Sequence, residues 1–147
     1  MAKPVPDGFR TITPYLVVRG ANGFLAFLQA GFGGRVDSIV RRPDGEVMNA
    51  AVTIGDSAVM VSNAPTDREP TEVWLYLYVD DCDAWYKRAL DAGATSIMEP
   101  ADMFYGDRHG GVKDAWGNTW WLATHIEDVT EEEVERRASR RETRPTG

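Results

Sequence analysis

Three polar side chains crowd one glycine-rich run, Gly106-Asp107-Arg108-His109-Gly110-Gly111. A histidine in such a flexible turn, with an ordinary pKa near neutrality, is a candidate general base. Asp107 is the carboxylate that stands beside it. The bland reading places His109 at the surface and makes Asp107 and Arg108 a structural ion pair or turn bond. His125, the only other histidine, follows the last predicted strand and reads as an interface or surface residue. Cys82 lies between Asp81 and Asp83 at a predicted helix start. The helix dipole would lower its pKa and the two carboxylates would raise it. No base stands near it in sequence, so Cys82 is read as structural. No phosphate loop or nucleophile elbow occurs. The catalytic candidates are therefore His109 and Asp107.

The elements that position these residues are read from residues 105–125. A first segment ends in a Gly-Asp-Arg turn, a second carries Val112, and a third runs over 119–125. Gly117-Asn118 between two extended runs is a hairpin signal, because both residue types tolerate positive φ. The last strand holds two adjacent tryptophans, Trp120 and Trp121, which must point to opposite faces.

Composition bounds the function. The chain has 147 residues, 43% of them hydrophobic, which suits one domain or two small halves of one. A net charge of -7 disfavours nucleic acid, which requires a clustered basic face. A single cysteine permits no intramolecular disulfide, and a reducing, cytoplasmic location is expected. No signal peptide and no apolar run long enough to cross a bilayer is seen, so no membrane partner is expected.

Taken in order, residues 1–10 read as a Pro-rich tail. Strands are predicted over 11–18, 35–41, 46–54, 57–62, 72–79 and 95–101, followed by the stretch already described. Helices are predicted from Asn22, as cap, to Gly31, and over 81–92 with Asp81 or its neighbour as cap. Residues 63–71 read as a linker. From 130 the chain reads as a polar helix whose last residues are disordered. The fold class is α+β: two βαβββ modules, 11–62 and 72–128, lining a cleft within one domain of 11–128. Residues confirm the repeat. Tyr15-Leu16-Val17-Val18 matches Tyr76-Leu77-Tyr78-Val79 at an offset of 61. Gly55-Asp56-Ser57-Ala58-Val59-Met60 matches Gly117-Asn118-Thr119-Trp120-Trp121-Leu122 at an offset of 62.

With Ile12-Thr13-Pro14-Tyr15-Leu16, Ile54-Gly55-Asp56-Ser57, Tyr105-Gly106-Asp107-Arg108 and Trp120-Trp121-Leu122-Ala123-Thr124-His125, the chain resembles the vicinal oxygen chelate superfamily. That superfamily includes glyoxalase I, bleomycin-resistance proteins, extradiol dioxygenases and fosfomycin-resistance enzymes. The resemblance covers about residues 11–128 and is nearest to the small single-chain members. It implies two modules wrapped round a cleft, usually in a homodimer that completes the site. Metal-using members place a histidine in the first strand of each module and a glutamate in the last. By that resemblance the four positions fall here on Thr13, Val59, Trp74 and Trp121. Threonine is a poor ligand, and valine and tryptophan offer no usable lone pair. No metal and no cofactor is therefore expected.

Strand alternation predicts what the cleft is made of. Leu75, Leu77 and Val79 face the helices, as do Leu16, Val18, Trp120, Leu122 and Thr124. The expected ligand-binding set is Tyr15, Val59, Trp74, Tyr76, Tyr78 and Trp121, with Phe104 at the rim. An aromatic lining suits a planar, conjugated or cationic small molecule. Three functions follow. The first is a metal-free homodimer that sequesters a hydrophobic, aromatic or cationic drug-like ligand, as antibiotic-resistance members do. The second is a glyoxalase-type lyase or isomerase with a reassigned site. The third is an interaction domain whose cleft is filled.

Overall fold

Two successive βαβββ runs build the protein, which a computed structural model describes over residues 2–142. Module one comprises β1 (Tyr15–Val18), α1 (Ala21–Phe32), β2 (Arg35–Arg41), β3 (Val47–Ile54) and β4 (Ser57–Asn63). Module two comprises β5 (Trp74–Tyr78), α2 (Cys82–Asp91), β6 (Thr95–Asp102), β7 (Asp107–Lys113) and β8 (Thr119–His125), and α3 (Glu131–Glu142) follows it. Each module forms one four-stranded sheet, in the orders β1-β4-β3-β2 and β5-β8-β7-β6. The first strand of each runs parallel to the last, and the other pairs are antiparallel. This is the α+β architecture expected. Residues 143–147, which include the predicted disordered end, lie outside the described residues. No helix among the described residues is long and apolar enough to cross a membrane.

The modules share one core on their helix-covered faces. Leu16, Val18, Val61, Trp120 and Leu122 are buried together there. Phe32 of α1 packs 4.7 Å from Trp120 and 6.0 Å from Trp85, ring centre to ring centre, so module one anchors in module two. Arg88 of α2 donates to the carbonyl of Ala30 at 2.8 Å and ties the helices together. Burying such aromatic area dominates the hydrophobic term, at about 25 cal/mol per Å² removed from water.

Several local expectations are corrected. The first strand begins at Tyr15 rather than Thr11: Pro14 has no N–H for a ladder, and its carbonyl accepts from Met60 N–H at 2.9 Å. Thr13 therefore precedes the strand. Asn22 does not cap α1. The N-cap is Gly20, held at φ 85°, and the N–H groups of Gly20 and Ala21 donate to Asn63 Oδ1 at 2.9 and 3.1 Å. A side chain from the end of β4 thus satisfies a helix start distant in sequence. Asp81 does cap α2, accepting from Ala84 N–H at 3.1 Å. The equivalence of β4 and β8 is offset by 61 residues, not 62. Tyr15 pairs with Met60 as Tyr76 pairs with Trp121. The β7–β8 loop is longer than the two-residue β3–β4 turn, so counting from the loop glycines slips the register by one. Val59 is consequently the repeat counterpart of Trp120. It is 6% exposed on the core face rather than the cleft face, and Met60 takes its place.

Candidate functional site

The uncovered face of the module-two sheet gathers the chain's polar chemistry. Alternation along β5 turns Trp74, Tyr76 and Tyr78 to this face and Leu75 and Leu77 to the core. On β8 the same face carries Trp121, Ala123 and His125; on β7 it carries Asp107, His109 and Gly111. The register sets Tyr76 beside Trp121 and Trp121 beside Gly111, Ala123 between Tyr78 and His109, and Asp107 beside His125. Strands β5 and β7 flank β8 and so stand about 10 Å apart. Tyrosines on β5 can reach β7 only because Ala123 between them is small.

They do reach it. The Tyr76 and Tyr78 hydroxyls donate to Asp107 Oδ2 at 2.7 and 2.9 Å. Asp107 Oδ1 lies 2.9 Å from His125 Nδ1, and His125 Nε2 lies 2.7 Å from Asp128. His109 Nδ1 is 3.2 Å from the Tyr76 hydroxyl and 3.1 Å from that of Tyr105. The imidazole stacks on Trp121 at 5.2 Å and 29°, and Trp74 meets Trp121 edge-on at 5.9 Å. The result is a continuous network beside an aromatic surface. Asp107 is 3% exposed and His109 8%, whereas Trp74 is 75% exposed and Tyr78 65%. The aromatics are thus not the filling of a closed barrel: the face stands open.

Electrostatics follow from these contacts. Burial pushes the Asp107 carboxyl up, but hydrogen bonds from His125, Tyr76 and Tyr78 outweigh it and hold the group below the usual carboxylate range. Burial lowers the His109 pKa against the attraction of Asp107, so the ring is neutral near pH 7. His125 moves the other way, raised by its bonds to Asp107 and Asp128. Tyr76 is raised well above an ordinary phenol, by burial first and then by its bond to Asp107. Asp107 therefore stays ionised and Tyr76 stays protonated.

The sequence reading misplaced part of this cluster. Asp107 and His109 lie on β7, not in a flexible turn. Asp107 and Arg108 do not pair, because adjacent strand residues point to opposite faces. Arg108 turns to the helix side, where it forms two hydrogen bonds with Asp83 at 2.8 and 2.9 Å and one with Asp102 at 3.1 Å. His125 is half-exposed, yet it is bonded to the network rather than idle at the surface. Cys82 is buried at the first turn of α2, its Sγ 3.3 Å from Asp83, and burial and that carboxylate raise its pKa. Tyr15 lies on the module-one sheet, exposed, and no ring contact among the described residues joins it to Trp74, Tyr76, Tyr78 or Trp121. Phe104 stands half-buried before β7, its ring 5.2 Å from that of Tyr105. The period-two pattern Asp107, His109, Gly111 was the signal that could have found the network, once that run was read as strand.

A cavity of about 580 Å³ runs along the free edge of β5, between it and the β3–β4 hairpin. Its walls are mainly apolar, including Ile54, Val59, Leu77 and Trp85. It does not contain Asp107 or His109, but Tyr76 and Tyr78 belong to both cavity and network.

The positions at which the resemblance implies metal ligands carry Thr13, Trp74, Trp121 and, in the corrected register, Met60. A hydroxyl, a thioether and two indoles do not make a ligand set for a hard or borderline divalent ion. Among the described residues no group of three or more His, Cys, Asp or Glu side chains is arranged to hold a metal.

Comparison with known proteins gives a consistent result. The sequence model of the Glyoxalase/Bleomycin resistance protein/Dioxygenase superfamily matches residues 10–122. An uncharacterized protein of Mycobacterium tuberculosis is 33% identical over 135 residues, spanning 84% of this chain and 79% of that protein. The fold is similar to TioX of Micromonospora sp. ML1, with a TM-score of 0.66 at 24% identity, covering 80% of this chain and 99% of that one. It is also similar to the fosfomycin resistance protein FosX of Mesorhizobium loti, with a TM-score of 0.59 at 18% identity over 84% and 95% of the two chains.

Proposed function

Because the chain belongs to the Glyoxalase/Bleomycin resistance protein/Dioxygenase superfamily, we propose that it binds a planar aromatic or cationic small molecule, without a metal, on the open face of module two. One observation carries this reading. Trp74, Tyr76, Tyr78 and Trp121 lie side by side on a sheet face that no other described residue covers. Exposed aromatic area of this kind is costly in water and marks a binding surface. Indole and phenol faces attract flat and cationic groups by stacking and cation–π contact. The ionised Asp107 beneath them adds attraction for a cation. In this reading a second copy of the chain closes the face, and the homodimer works in the cytoplasm as a sequestering protein.

The test is a thermal-shift and tryptophan-fluorescence screen of aromatic antibiotics and planar cations. A bound compound raises the melting temperature by mass action and quenches the indoles. A screen in which no planar aromatic compound shifts either signal sinks the reading. Light scattering that finds a monomer at micromolar concentration removes the dimer from it.

A second reading, a lyase or isomerase with a reassigned site, draws on the Asp107–Tyr76–His109 network, which resembles the preorganised polar groups of acid–base catalysis. It predicts that a compound recovered from the protein is chemically altered, which mass spectrometry decides.

A further inference from the structure

The network at Tyr76 leaves one nitrogen with work to do. The Asp107 carboxylate is ionised and can only accept hydrogen bonds, so Tyr76, Tyr78 and His125 must each donate to it. A phenol has one proton, so Tyr76 has none left for His109. The Tyr76 oxygen, 3.2 Å away, can only accept from His109 Nδ1, and the Tyr105 oxygen at 3.1 Å is a second acceptor. Only the Nδ1–H tautomer makes both contacts hydrogen bonds, and that tautomer leaves a lone pair on Nε2.

Nothing among the described residues pairs with Nε2. Yet among those residues no side-chain nitrogen or oxygen is both fully buried and unpartnered. Nε2 therefore reaches the open face, although the ring as a whole is buried and flat against Trp121. It is an oriented neutral acceptor at the edge of an aromatic platform. Asp107, two residues away on the same strand face, supplies fixed negative charge.

We propose that His109 Nε2 is the polar anchor of this face, accepting a hydrogen bond from an N–H of a planar cationic ligand stacked on Trp121 and Trp74. The proposal rests on the reading of that face as a ligand surface and adds the donor the ligand must carry. A quaternised ring of the same shape offers stacking and charge but no N–H, so the site discriminates against it. Discrimination of this sort comes from leaving a polar group unpaired, not from shape.

Two dyes test it: proflavine, a flat cation with ring and amino N–H groups, and N-methylacridinium, a flat cation with none. The readout is the ratio of their dissociation constants from fluorescence titration. The full-length wild-type protein is expected to prefer proflavine by about tenfold, and His109→Phe to bring the ratio close to one. Long-range proton–nitrogen NMR of the wild-type protein reads the tautomer without any variant, and the Nδ1–H form is expected. If His109→Phe keeps the wild-type ratio, if wild type binds both dyes equally, or if the Nε2–H tautomer dominates, His109 is not the anchor, while the aromatic surface stands. If wild type binds neither dye, the aromatic surface falls and the anchor falls with it.

Discussion

Asn63 and Thr124, 61 residues apart, do the same job in the two modules. Each lies at the C-terminal end of its module's last strand, Asn63 as the final residue of β4 and Thr124 one before the end of β8, and each turns a side-chain oxygen to the start of its module's helix. Asn63 Oδ1 accepts from Gly20 and Ala21 N–H, and Thr124 Oγ1 accepts from Cys82 N–H at 2.9 Å. A helix start has unsatisfied N–H groups, and losing a capping side chain costs about 0.5–2 kcal/mol. Asn63→Ala and Thr124→Val should each lower stability by about that amount in urea melts. Unchanged midpoints would show that water serves those N–H groups equally well.

The same 61-residue offset gives Val59 and Met60 different roles. Val59 faces the core with Val52 and Val61, whereas Met60, half-buried, is the counterpart of Trp121. Val59→Ala should destabilise the fold by roughly 1–3 kcal/mol, since it removes buried methyl groups and leaves a cavity. Met60→Ala should cost distinctly less, because its side chain is not part of that core. Equal losses in denaturant titrations would return Val59 to the cleft face.

Most of the fold was legible in the sequence because it rests on local patterns. The glycine turns, the period-two aromatics of Trp74, Tyr76 and Tyr78, and the repeated Tyr15 and Tyr76 strands all survive in the structure. The errors have separate causes. The one-residue slip at Val59 came from a loop longer in one module than in the other. Asp107 and His109 looked like turn residues because three glycines surround them. Gly106 is indeed in the turn before β7, but Gly110 and Gly111 are strand residues that admit Pro100 and Trp121, and a single sequence does not reveal what lies over a glycine in a strand.

The pKa values of the two histidines should be shifted in opposite directions. Burial lowers the His109 pKa from 6.5, and hydrogen bonds to Asp107 and Asp128 raise that of His125. As pH falls below about 6.5, the unfolded chain protonates its His109 before the folded chain does, so that group destabilises the fold there. The contribution of His125 is fully present below about 6.5 and is lost as pH rises through its higher folded value. Histidine side-chain NMR, with only two residues to assign, resolves both. Two coincident titrations near 6.5 would contradict the network.

Trp121→Ala should weaken binding of a stacked ligand by roughly 1–3 kcal/mol, by analogy with losses measured when aromatic platforms are truncated. Trp74→Ala should follow in the same direction, because Trp74 borders Trp121 edge-on. Circular dichroism must first show that each variant is folded, since truncating an indole removes packing as well as a platform. Undiminished affinity in a folded Trp121→Ala variant would move the ligand to the cavity along β5.

Gly111 is the residue on which the Trp121 indole rests. A methyl group added there would lie 2.5 Å from Cζ3 and 2.7 Å from Cε3 of Trp121, closer than carbon atoms tolerate. The backbone of Gly111 is not in the left-handed region, so close approach, not a special φ, requires the glycine. Gly111→Ala must lift the indole and disturb its stack on His109. An overpacked site of this kind costs about 1–3 kcal/mol. A double-mutant cycle separates this from any effect of alanine on the strand itself. In a Trp121→Ala background the ring is gone, and Gly111→Ala should cost much less than it does alone. If the penalty is the same in both backgrounds, the indole is not what the glycine accommodates. A lower penalty with the indole removed ties the small residue on β7 to the position of the aromatic platform on β8.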